Sequence, residues 1–484
     1  MWYALFVTKI KKGSDQMKEL AIFLDSNIKS PVYEQIYNSI KKEITKGALP
    51  PGEKLPSSRK LSEQLQCSRS TILMAYDQLL AEGYIETKPK SGYFVAELFM
   101  DFIKQEVKSV KIEDGNPDKG YEIDFSPAGI DTDNFPYNEW RKLSRQVLNS
   151  DNIELFNSGD RRGDFGLRSA IAEYLNAFRG VKANPDRIIL GAGYESLLML
   201  LDSILGKDAV FAMENPAYPK AYRLIKSFGR QVCPVGLDDK GINISELNKT
   251  SADVVYVTPS HQYPMGIVMP IKRRQELLVW SSSKDGRYII EDDYDSEFRY
   301  KGKPIPSLQG MDSGDTVIYI GTFSKSISPA IRMSYMVLPE GLYEKYFENG
   351  KFYSNTVSRI DQKIVELFIK EGGFERHLSR MRTTYKNKHA GMLNRLKCWQ
   401  NVEVSGENSG AHMLLWFKDG QKATDLIKKA RRNRVNVYSL KDCCITNENL
   451  MEYENVVVLG YAKLNEKEIE KGLDILEKSW NIKC

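Results

Sequence analysis

Apolar residues recur at helical spacing near the start of the chain and predict a compact unit. Three isoleucines at every fourth position predict a first helix over residues 32–46. They are Ile36, Ile40 and Ile44. The stretch "GALPPGEKLPSS" is rich in helix breakers and predicts a loop. Ser57 or Ser58 then caps a short second helix, with Leu61 and Leu65 turned inward.

A third helix and a hairpin complete this unit. Ser68 is placed to cap "SRSTILMAYDQLLAEG", whose apolar residues share one face, and Gly83 marks its end. "YIETKPKSGYFV" predicts two short strands around a Lys-Pro-Lys-Ser-Gly turn. The predicted order is helix, helix, helix, hairpin, and we assign it to a first domain over residues 17–97.

The rest of the chain has a different periodicity. "KQEVKSVKIEDGNPDKG" is polar and mixed in charge, which indicates a linker over 98–122, although "LFMDFI" has a helical pattern of its own. Over 123–484, strand-like runs alternate with helical ones, a pattern typical of an α/β domain with a mostly parallel sheet. The predicted strands are "RIILGAG", "DAVFAM", "DVVYVTPS", "RYIIEDDYD", "TVIYIGTFSK" and "SYMVLP", and the helices include "ESLLMLLDSIL", "PKAYRLIKSF", "RRQELLVWSSS" and "IEKGLDILEKSW".

Composition narrows the classes of protein and of site. The 69 Lys and Arg residues exceed the 64 acidic ones by only five, so a nucleic-acid partner must be argued from a local motif. The six cysteines have no C-x-x-C spacing, so we expect no disulfide framework or zinc site and a cytoplasmic location. No apolar run approaches the ~20 residues that cross a bilayer. "MWYALFVTKIKK" has the reverse charge order of a signal peptide, and Met17 is an alternative start.

The first domain carries cations where a winged helix presents them to DNA. In a helix-turn-helix the second of two short helices enters the major groove, while the loop and wing hold phosphates. Arg69 at that helix start is placed to read guanine with two hydrogen bonds. Ordinary surface charges on a small helical domain are the alternative. The predicted DNA-binding residues are Lys54, Ser58, Arg59, Ser68, Arg69, Thr71, Lys88, Lys90, Ser91 and Gly92.

Lys325 is the central chemical candidate in the second domain. It lies between two serines in "GTFSKSISP", directly after a predicted strand. A lysine there is a solvated charge, a phosphate binder or a nucleophile. A nucleophilic lysine needs a fixed electrophile and a lowered pKa, and pyridoxal phosphate is the common electrophile.

Each other part of a pyridoxal phosphate site has a candidate in the same order along the chain. Asp292 and Tyr294 follow a strand, at the edge where open α/β sheets bind ligands. Thr322 and Arg332 flank Lys325 as phosphate ligands. The remaining candidates are the backbone N–H groups of Gly193 and Tyr194 at a helix start and the Tyr218 ring for stacking.

Both domains resemble known families. "PVYEQIYNSIKKEITKGALPPGEKLPSSRKLSEQLQCSRSTILMAYDQLLAEGYIETKPKSGYFV" resembles the GntR-type winged helix over its full length. "TPSHQYPMGIVMPIKRRQELL", "EDDYDSEFRY" and "IYIGTFSKSISPAIRMSYMVLP" resemble the fold type I aminotransferases. The combination resembles the MocR family of GabR-like regulators.

The MocR resemblance implies roles for the candidate residues. It implies Lys325 as the internal aldimine lysine, Asp292 at the pyridine nitrogen and Tyr294 at the phenolic oxygen. It implies Tyr218 on the ring, with Thr322 and Arg332 at the phosphate. It also implies a head-to-tail homodimer in which each winged helix lies against the partner's large domain.

Three positions depart from the family pattern. Ser158 stands where a tyrosine commonly reaches across the dimer to the phosphate, and Lys220 stands where GabR-like proteins have an arginine near the ligand. The stretch "NVVVLGYAKL" has no arginine beside Val458, where aminotransferases hold the substrate carboxylate. Loss of a two-pronged guanidinium weakens carboxylate recognition. The cofactor site is therefore expected to be complete except at position 158.

Three functions follow from different weightings of these features. We favour a cytoplasmic, nucleoid-associated regulator that binds operator DNA and pyridoxal phosphate and senses an amine, an amino acid or the cofactor itself. An active aminotransferase with a DNA-binding domain is the alternative, and the missing arginine argues against it. A DNA-binding protein with a cofactor-free scaffold is the third, and a covalent cofactor would exclude it.

Overall fold

The computed structural model describes residues 4–11, 17–24, 30–97, 120–300, 305–350, 352–406, 410–446 and 451–484. The chain divides into two compact units, Met1–Asn116 and Pro117–Cys484. The helical pattern in "LFMDFI" and most of the predicted linker lie outside the described residues.

The first unit contains the predicted helices and hairpin. Its elements are β1 (Ala4–Lys11), β2 (Met17–Leu24), α1 (Val32–Thr45), α2 (Ser58–Leu65), α3 (Arg69–Ala81), β3 (Ile85–Lys88) and β4 (Gly92–Val95). β3 and β4 pair antiparallel, as predicted for the wing. β1 also pairs antiparallel with β2, so part of the segment before Met17 forms a strand.

The predicted caps explain where the helices of this unit begin and end, and the apolar faces explain how they pack. Ser57 caps α2 by accepting from the Lys60 N–H, whereas Ser58 is the first helical residue. Gly83 follows α3 with φ 76°, a backbone conformation that glycine adopts without a Cβ penalty. The three predicted isoleucines of α1 are fully buried with the apolar faces of α2 and α3. The helical spacing thus buries one continuous core.

The second unit alternates strands and helices along its length. Its first half contains β5 (Ile123–Asp124), α4 (Tyr137–Val147), α5 (Phe165–Arg179), β6 (Ile188–Gly191), α6 (Tyr194–Ile204), β7 (Phe211–Asn215), α7 (Pro219–Ser227), β8 (Val232–Asp238), β9 (Gly241–Ile242), α8 (Ile244–Leu247), β10 (Val254–Val257), α9 (Ile271–Ser282), β11 (Tyr288–Asp293) and β12 (Val317–Thr322). The remainder contains α10 (Phe323–Ser326), β13 (Ser334–Val337), α11 (Glu340–Asn349), α12 (Arg359–Lys370), α13 (Gly373–Leu396), β14 (Val402–Ser405), β15 (His412–Phe417), α14 (Ala423–Arg432), β16 (Val435–Asn436), β17 (Tyr438–Ser439), β18 (Val456–Gly460) and α15 (Glu466–Trp480).

An eight-stranded sheet organises this unit. Its order is β6-β13-β12-β11-β10-β7-β8-β9. The pairs from β12 through β11, β10 and β7 to β8 are parallel, while β13 and β9 pair antiparallel with their neighbours. Asp292 on β11 pairs with Ile320 on β12. Because these strands run in the same direction, the residues after Asp292 and after Thr322 meet at one edge of the sheet, as predicted.

A second, antiparallel sheet lies in the C-terminal part of the unit, in the order β14-β15-β18-β17. β5, near the start of the unit, pairs in parallel with β16. The segment that enters the unit is therefore bonded to its C-terminal part from the outset, and Ile123 and Phe125 are buried in that core.

The expectation that the cysteines form no disulfide is wrong for one pair. Cys398, just after α13, and the C-terminal Cys484 are disulfide-bonded. The two residues are 86 positions apart, so no short spacing motif marks them. They meet because α13 and α15 end close together, with Arg395 of α13 bonded to Asp474 and Glu477 of α15.

Among the described residues, no helix combines the length and apolar character that crossing a membrane requires.

Candidate functional site

The start of α3 is the candidate DNA-reading surface. The Ser68 hydroxyl accepts from the Thr71 N–H at 3.1 Å and so begins the helix. The first helical residue, Arg69, is exposed, and its Nε donates to the Ser58 hydroxyl at 3.2 Å. That bond draws the guanidinium toward α2 and orients its other N–H groups. Ser58 itself is buried, so Arg69 is the more exposed member of this pair.

The wing gathers further cations around one aromatic ring. The amines of Lys54 and Lys88 lie 5.7 and 4.8 Å from the centre of the Phe94 ring. Lys90 occupies the tip of the turn with φ 57°, and Gly92 begins β4 with φ 107°. Arg59 on α2 is exposed and lies 3.2 Å from Glu63. Ser91, in the same turn, is exposed.

The second unit contains a cavity at the carboxyl edge of its large sheet. The loops after β11, β12 and β10 line it, together with the start of α6, the loop before α7 and the segment after β5. Of the predicted cofactor residues, the cavity lining contains Tyr194, Tyr218, Asp292, Tyr294, Thr322, Lys325 and Arg332. The structure thus brings together side chains spread over more than a hundred positions of sequence.

Lys325 places its amine in this cavity. It lies in the single turn of α10, which Thr322 caps by accepting from the Ser324 N–H. The amine donates to the carbonyl oxygens of Pro127 and Ala128 at 3.2 and 2.9 Å. Burial lowers the pKa of Lys325 to about 8, opposed in part by Asp295. A substantial fraction of the amine is therefore neutral near physiological pH, as a nucleophile requires.

Asp292 is a buried carboxylate that faces the cavity. Tyr256 on β10 donates its hydroxyl hydrogen to Asp292. Burial raises the pKa of Asp292 to about 7, against the effect of Tyr256, and Asp293 and Asp295 raise it further. A buried cation beside it would reverse this shift, because opposite charges favour the ionised form.

Tyr294 belongs to a group of polar aromatic residues in the same wall. Its hydroxyl donates to the backbone oxygen of His261 at 3.1 Å, and the His261 ring is 2.8 Å from Asp295. His412 lies next to them, with Nε2 bonded to the Pro264 carbonyl at 2.8 Å. Burial lowers the pKa of His412 to about 4, so this ring is neutral at physiological pH.

Tyr218 provides an aromatic face at the start of α7. Its ring centre lies 5.4 Å from that of Tyr263 and 6.2 Å from that of Tyr194. Burial raises the pKa of Tyr218 to about 12. The three rings form an aromatic side of the cavity.

The residues predicted to bind the phosphate lie close together, and one of their backbone N–H groups, that of Gly193, is already hydrogen-bonded. Arg332 donates through one nitrogen to the Ala192 carbonyl at 3.2 Å and to Glu195 at 2.7 Å. Gly193 directly precedes α6 with φ 83°, and a Cβ there would be 2.5 Å from the Arg332 guanidinium. The Gly193 N–H donates to the Gly191 carbonyl at 2.7 Å, so in this geometry it is used within the turn. The Thr322 hydroxyl lies 2.8 Å from that of Ser334.

Comparison with known families assigns both units. Residues 32–95 match the family described as "Bacterial regulatory proteins, gntR family", and residues 128–476 match "Aminotransferase class I and II". The chain is 38% identical over 474 residues to the HTH-type transcriptional regulator YdeL of Bacillus subtilis (strain 168), covering 96% of this chain and all of that protein. It is 29% identical over 484 residues to the probable rhizopine catabolism regulatory protein MocR of Rhizobium meliloti, covering 95% and 96% of the two chains.

The chain belongs to the MocR family of transcriptional regulators. Another relative of this MocR-family regulator is the HTH-type pyridoxine biosynthesis transcriptional regulator PdxR of Corynebacterium glutamicum, 30% identical over 429 residues that cover 88% of this chain and 91% of the relative. The predicted fold class, a winged helix joined to an aminotransferase fold, is confirmed.

Solved structures share the fold of the larger unit. Kynurenine aminotransferase from Pyrococcus horikoshii superposes with a TM-score of 0.66 at 22% identity, covering 74% of this chain and 90% of that one. The α-aminoadipate aminotransferase LysN from Thermus thermophilus, crystallised with N-(5'-phosphopyridoxyl)-L-leucine, superposes with a TM-score of 0.65 at 23% identity, covering 75% and 92%. The MocR-family chain therefore has the backbone frame of aminotransferases.

The departures noted in the sequence have distinct surroundings in this MocR-family chain. Val458 is buried in β18 among apolar side chains that include Leu414 and Tyr453. Lys220 lines the cavity and is paired with Glu195. Ser158 is exposed after the turn Ser150–Phe156.

Several residues that line the cavity or bond to its lining were not anticipated from the sequence. Tyr256, the partner of Asp292, lies on the neighbouring strand β10, whose four residues are all buried, so the sequence pattern did not distinguish it. His261 lies in "TPSHQYP", within a stretch that resembles the aminotransferases, and that resemblance implies no role for it. The carbonyls of Pro127 and Ala128 and the Glu195 carboxylate carried no signal in the sequence pattern.

Proposed function

We propose that this MocR-family regulator binds pyridoxal 5'-phosphate covalently on Lys325 and that a small ligand of this site changes its affinity for operator DNA. The observation that carries the proposal is the half-buried Lys325 amine, with its pKa lowered to about 8, in one cavity with Asp292 and Arg332. When bound, pyridoxal phosphate supplies an aldehyde that a neutral lysine amine attacks and a phosphate that anchors it.

The residues of the cavity fit that group. Asp292 is buried, ready to pair with a protonated ring nitrogen, and Tyr218 offers an aromatic face. We assign Tyr294 to the phenolic oxygen, and Thr322 and Arg332 to the phosphate, because all three line the cavity. We assign the Gly193–Tyr194 turn to the same phosphate seat, although the Gly193 N–H must first leave Gly191.

We propose domain limits and a DNA-binding surface on the same basis. The DNA-binding domain spans 17–97, the linker 98–122 and the effector domain 123–484. Arg69 reads a base, and the cations at the wing contact phosphates of double-stranded DNA. Support comes from the exposure of Arg69, oriented by Ser58, and from the clustering of Lys54 and Lys88 on Phe94. Such a protein acts on the nucleoid in the cytoplasm.

We propose a homodimer, and an exposed apolar surface on the effector domain supports it. Its side chains Ile153, Phe156, Phe165 and Tyr353 are 55–74% exposed. The two segments that carry them are bonded to each other, because Arg359 pairs with Asp164 at 2.9 Å and Asn355 donates to the Arg161 carbonyl at 3.0 Å. Large apolar side chains held on one ordered surface are typical of an interface. In the family geometry the two copies pack head to tail.

Sedimentation tests the homodimer. Phe156→Asp, which buries a charge if this surface is the interface, should shift the full-length protein from dimer to monomer at micromolar concentration. Val279→Asp changes an exposed apolar residue on α9 instead and is the control. An unchanged dimer in Phe156→Asp places the interface elsewhere.

The effector is a small amine, an amino acid or pyridoxal phosphate itself. The buried Val458 leaves no guanidinium at the usual carboxylate anchor, which argues against efficient transamination. Two relatives are named for different processes, rhizopine catabolism for MocR and pyridoxine biosynthesis for PdxR, and these processes involve different small molecules. Genes beside this one separate these cases: vitamin B6 synthesis genes favour the cofactor, and amine or amino-acid catabolism genes favour an amino ligand.

Absorbance tests the function directly. Purified protein mixed with pyridoxal phosphate should acquire a band near ~420 nm, which is usual for the cofactor bound to a lysine. Operator DNA should then be bound with a different affinity with and without the cofactor. If no concentration of the cofactor produces the band, the proposal is excluded and a cofactor-free scaffold is favoured.

A further inference from the structure

A carboxylate lies between Arg332, the cation assigned to the phosphate, and Lys220, a second cation that lines the same cavity. Glu195, the second residue of α6, accepts from Arg332 at 2.7 Å through one oxygen and from Lys220 through the other. Lys220 and Arg332 are each about half exposed, whereas Glu195 is 23% exposed. The acid is therefore the most enclosed member of the trio.

The position of this carboxylate is that of a bound anion. Gly193 directly precedes the helix, and a Cβ on it would be 2.9 Å from a Glu195 oxygen and 2.5 Å from Arg332. The Glu195 side chain thus folds back over the first turn of its own helix. A helix start attracts negative charge because its first N–H groups are unpaired and the helix dipole is positive there.

The charges around Glu195 keep it ionised. Burial alone would raise the pKa of Glu195, but hydrogen bonds from Lys220 and Arg332 outweigh burial and lower the pKa to about 2. At physiological pH the carboxylate is therefore always present and partly neutralises both cations. A phosphate group that reaches Arg332 meets a like charge unless the carboxylate moves away.

We propose that Glu195 is an internal occupant of the phosphate seat, which any phosphate-bearing ligand must displace from Arg332 and Lys220. The inference rests on the proposed function and adds a specificity determinant to it. Displacement costs two ion pairs, so Glu195 weakens cofactor binding. A regulator built this way exchanges its cofactor readily, and cofactor concentration itself becomes a signal.

The test compares wild type with Glu195→Gln in the full-length protein freed of cofactor. The amide keeps the shape of the side chain and removes the charge. Because one pKa unit corresponds to a factor of ten and a like charge shifts an ionisation by about that much or more, Glu195→Gln should bind pyridoxal phosphate at least tenfold more tightly. Inorganic phosphate should likewise raise the melting temperature of Glu195→Gln more than that of wild type.

Glu173→Gln is the matched control, because Glu173 is an exposed acid on α5 and its loss changes the net charge equally. This control should bind both ligands as wild type does. If Glu195→Gln is poorly folded, Glu195→Ser tests the same claim without a carboxylate.

The outcomes separate this inference from the proposed function. Equal or weaker binding of both ligands by Glu195→Gln overturns the inference, since Glu195 would then only position Arg332. If no variant acquires the absorbance band, the proposed function fails, while the inorganic phosphate comparison still decides the role of Glu195. Tighter phosphate binding supports it, and unchanged or weaker phosphate binding overturns it.

Discussion

The Lys325 amine donates a hydrogen bond to the carbonyl oxygen of Ala128, 2.9 Å away. Ala128 lies on the segment by which the chain enters the effector domain. That segment is bonded to the C-terminal part of the domain, because the Gly460 N–H donates to the Phe125 carbonyl at 2.9 Å. A chemical change at Lys325 therefore acts directly on a segment that joins two parts of the fold.

We predict that Lys325→Ala folds and binds DNA but no longer responds to its ligand. Ligand binding changes DNA affinity only if it favours one arrangement of the protein over another, and Lys325 is the group whose bonds change. A coupling of ~1–3 kcal/mol should vanish, while basal DNA affinity stays within a few-fold. The measurement is DNA affinity with and without pyridoxal phosphate and candidate amines. A full response in Lys325→Ala would assign the switch to a noncovalent site.

The lowered pKa of Lys325 gives a pH dependence for cofactor attachment. The neutral amine attacks, so the attachment rate should rise roughly tenfold from pH 6 to 7 and level off above the pKa of about 8. Stopped-flow absorbance between pH 6 and 10 measures it. The reaction of N-α-acetyl-lysine, whose amine has an ordinary pKa, with pyridoxal phosphate should become faster all the way to pH 10. A rate for the protein that also rises steadily to pH 10 would mean that burial does not tune this amine.

Arg69 and Lys90 should affect DNA binding in different ways. Arg69→Ala should cost roughly 1–3 kcal/mol on the specific site and relax discrimination there, because a base contact is lost. Lys90→Ala should weaken all sequences alike and flatten the salt dependence by about one unit. Fluorescence anisotropy with operator and random DNA at several salt concentrations separates them. Equal losses on both DNAs for Arg69→Ala would remove its base-reading role.

Asp131 and Lys388 form a buried ion pair at the end of the entry segment, 2.7 Å apart with about 6% of each side chain exposed. Removing one partner leaves a buried charge, so Lys388→Met should lower the free energy of unfolding by about 3–5 kcal/mol. Glu371→Gln, which breaks an exposed pair with Lys142, should cost less than about 1 kcal/mol. Urea unfolding measures both, and equal small losses would contradict the structural role of the pair.

The same pair predicts a loss of stability in acid. Burial alone would raise the pKa of Asp131, but Lys388 and Asn134 more than offset it and lower the pKa. The folded pKa lies below the unfolded one, so this stabilisation is full above the unfolded value of about 4 and disappears as pH falls through the folded value. Asp131→Asn should therefore flatten the fall in melting temperature below pH 4 relative to wild type.

Regular spacing made most of the fold predictable. The isoleucines of α1, the caps at Ser68 and Gly83 and the strand that carries Asp292 near its end are local patterns, and each appears in the structure as expected. Because parallel strands share an edge, the order of Asp292 and Lys325 along the chain also predicted their common cavity.

Contacts between distant segments were not predictable in this way. The Cys398–Cys484 disulfide depends on where two helices end, and the Lys325–Ala128 bond depends on the path of an irregular segment. The sequence predicted Glu195 only as part of a helix. Its role was not predictable because its bonds to Lys220 and Arg332 join three separate elements. Local periodicity carries no information on such pairings.

Peptide mapping after borohydride reduction tests the central claim most directly. Wild-type protein loaded with pyridoxal phosphate, reduced and digested, should carry the phosphopyridoxyl group on the peptide that contains Lys325, and Lys325→Ala should carry none at equal cofactor. The adduct on any other lysine of wild type, or an equal adduct in Lys325→Ala, would contradict the account.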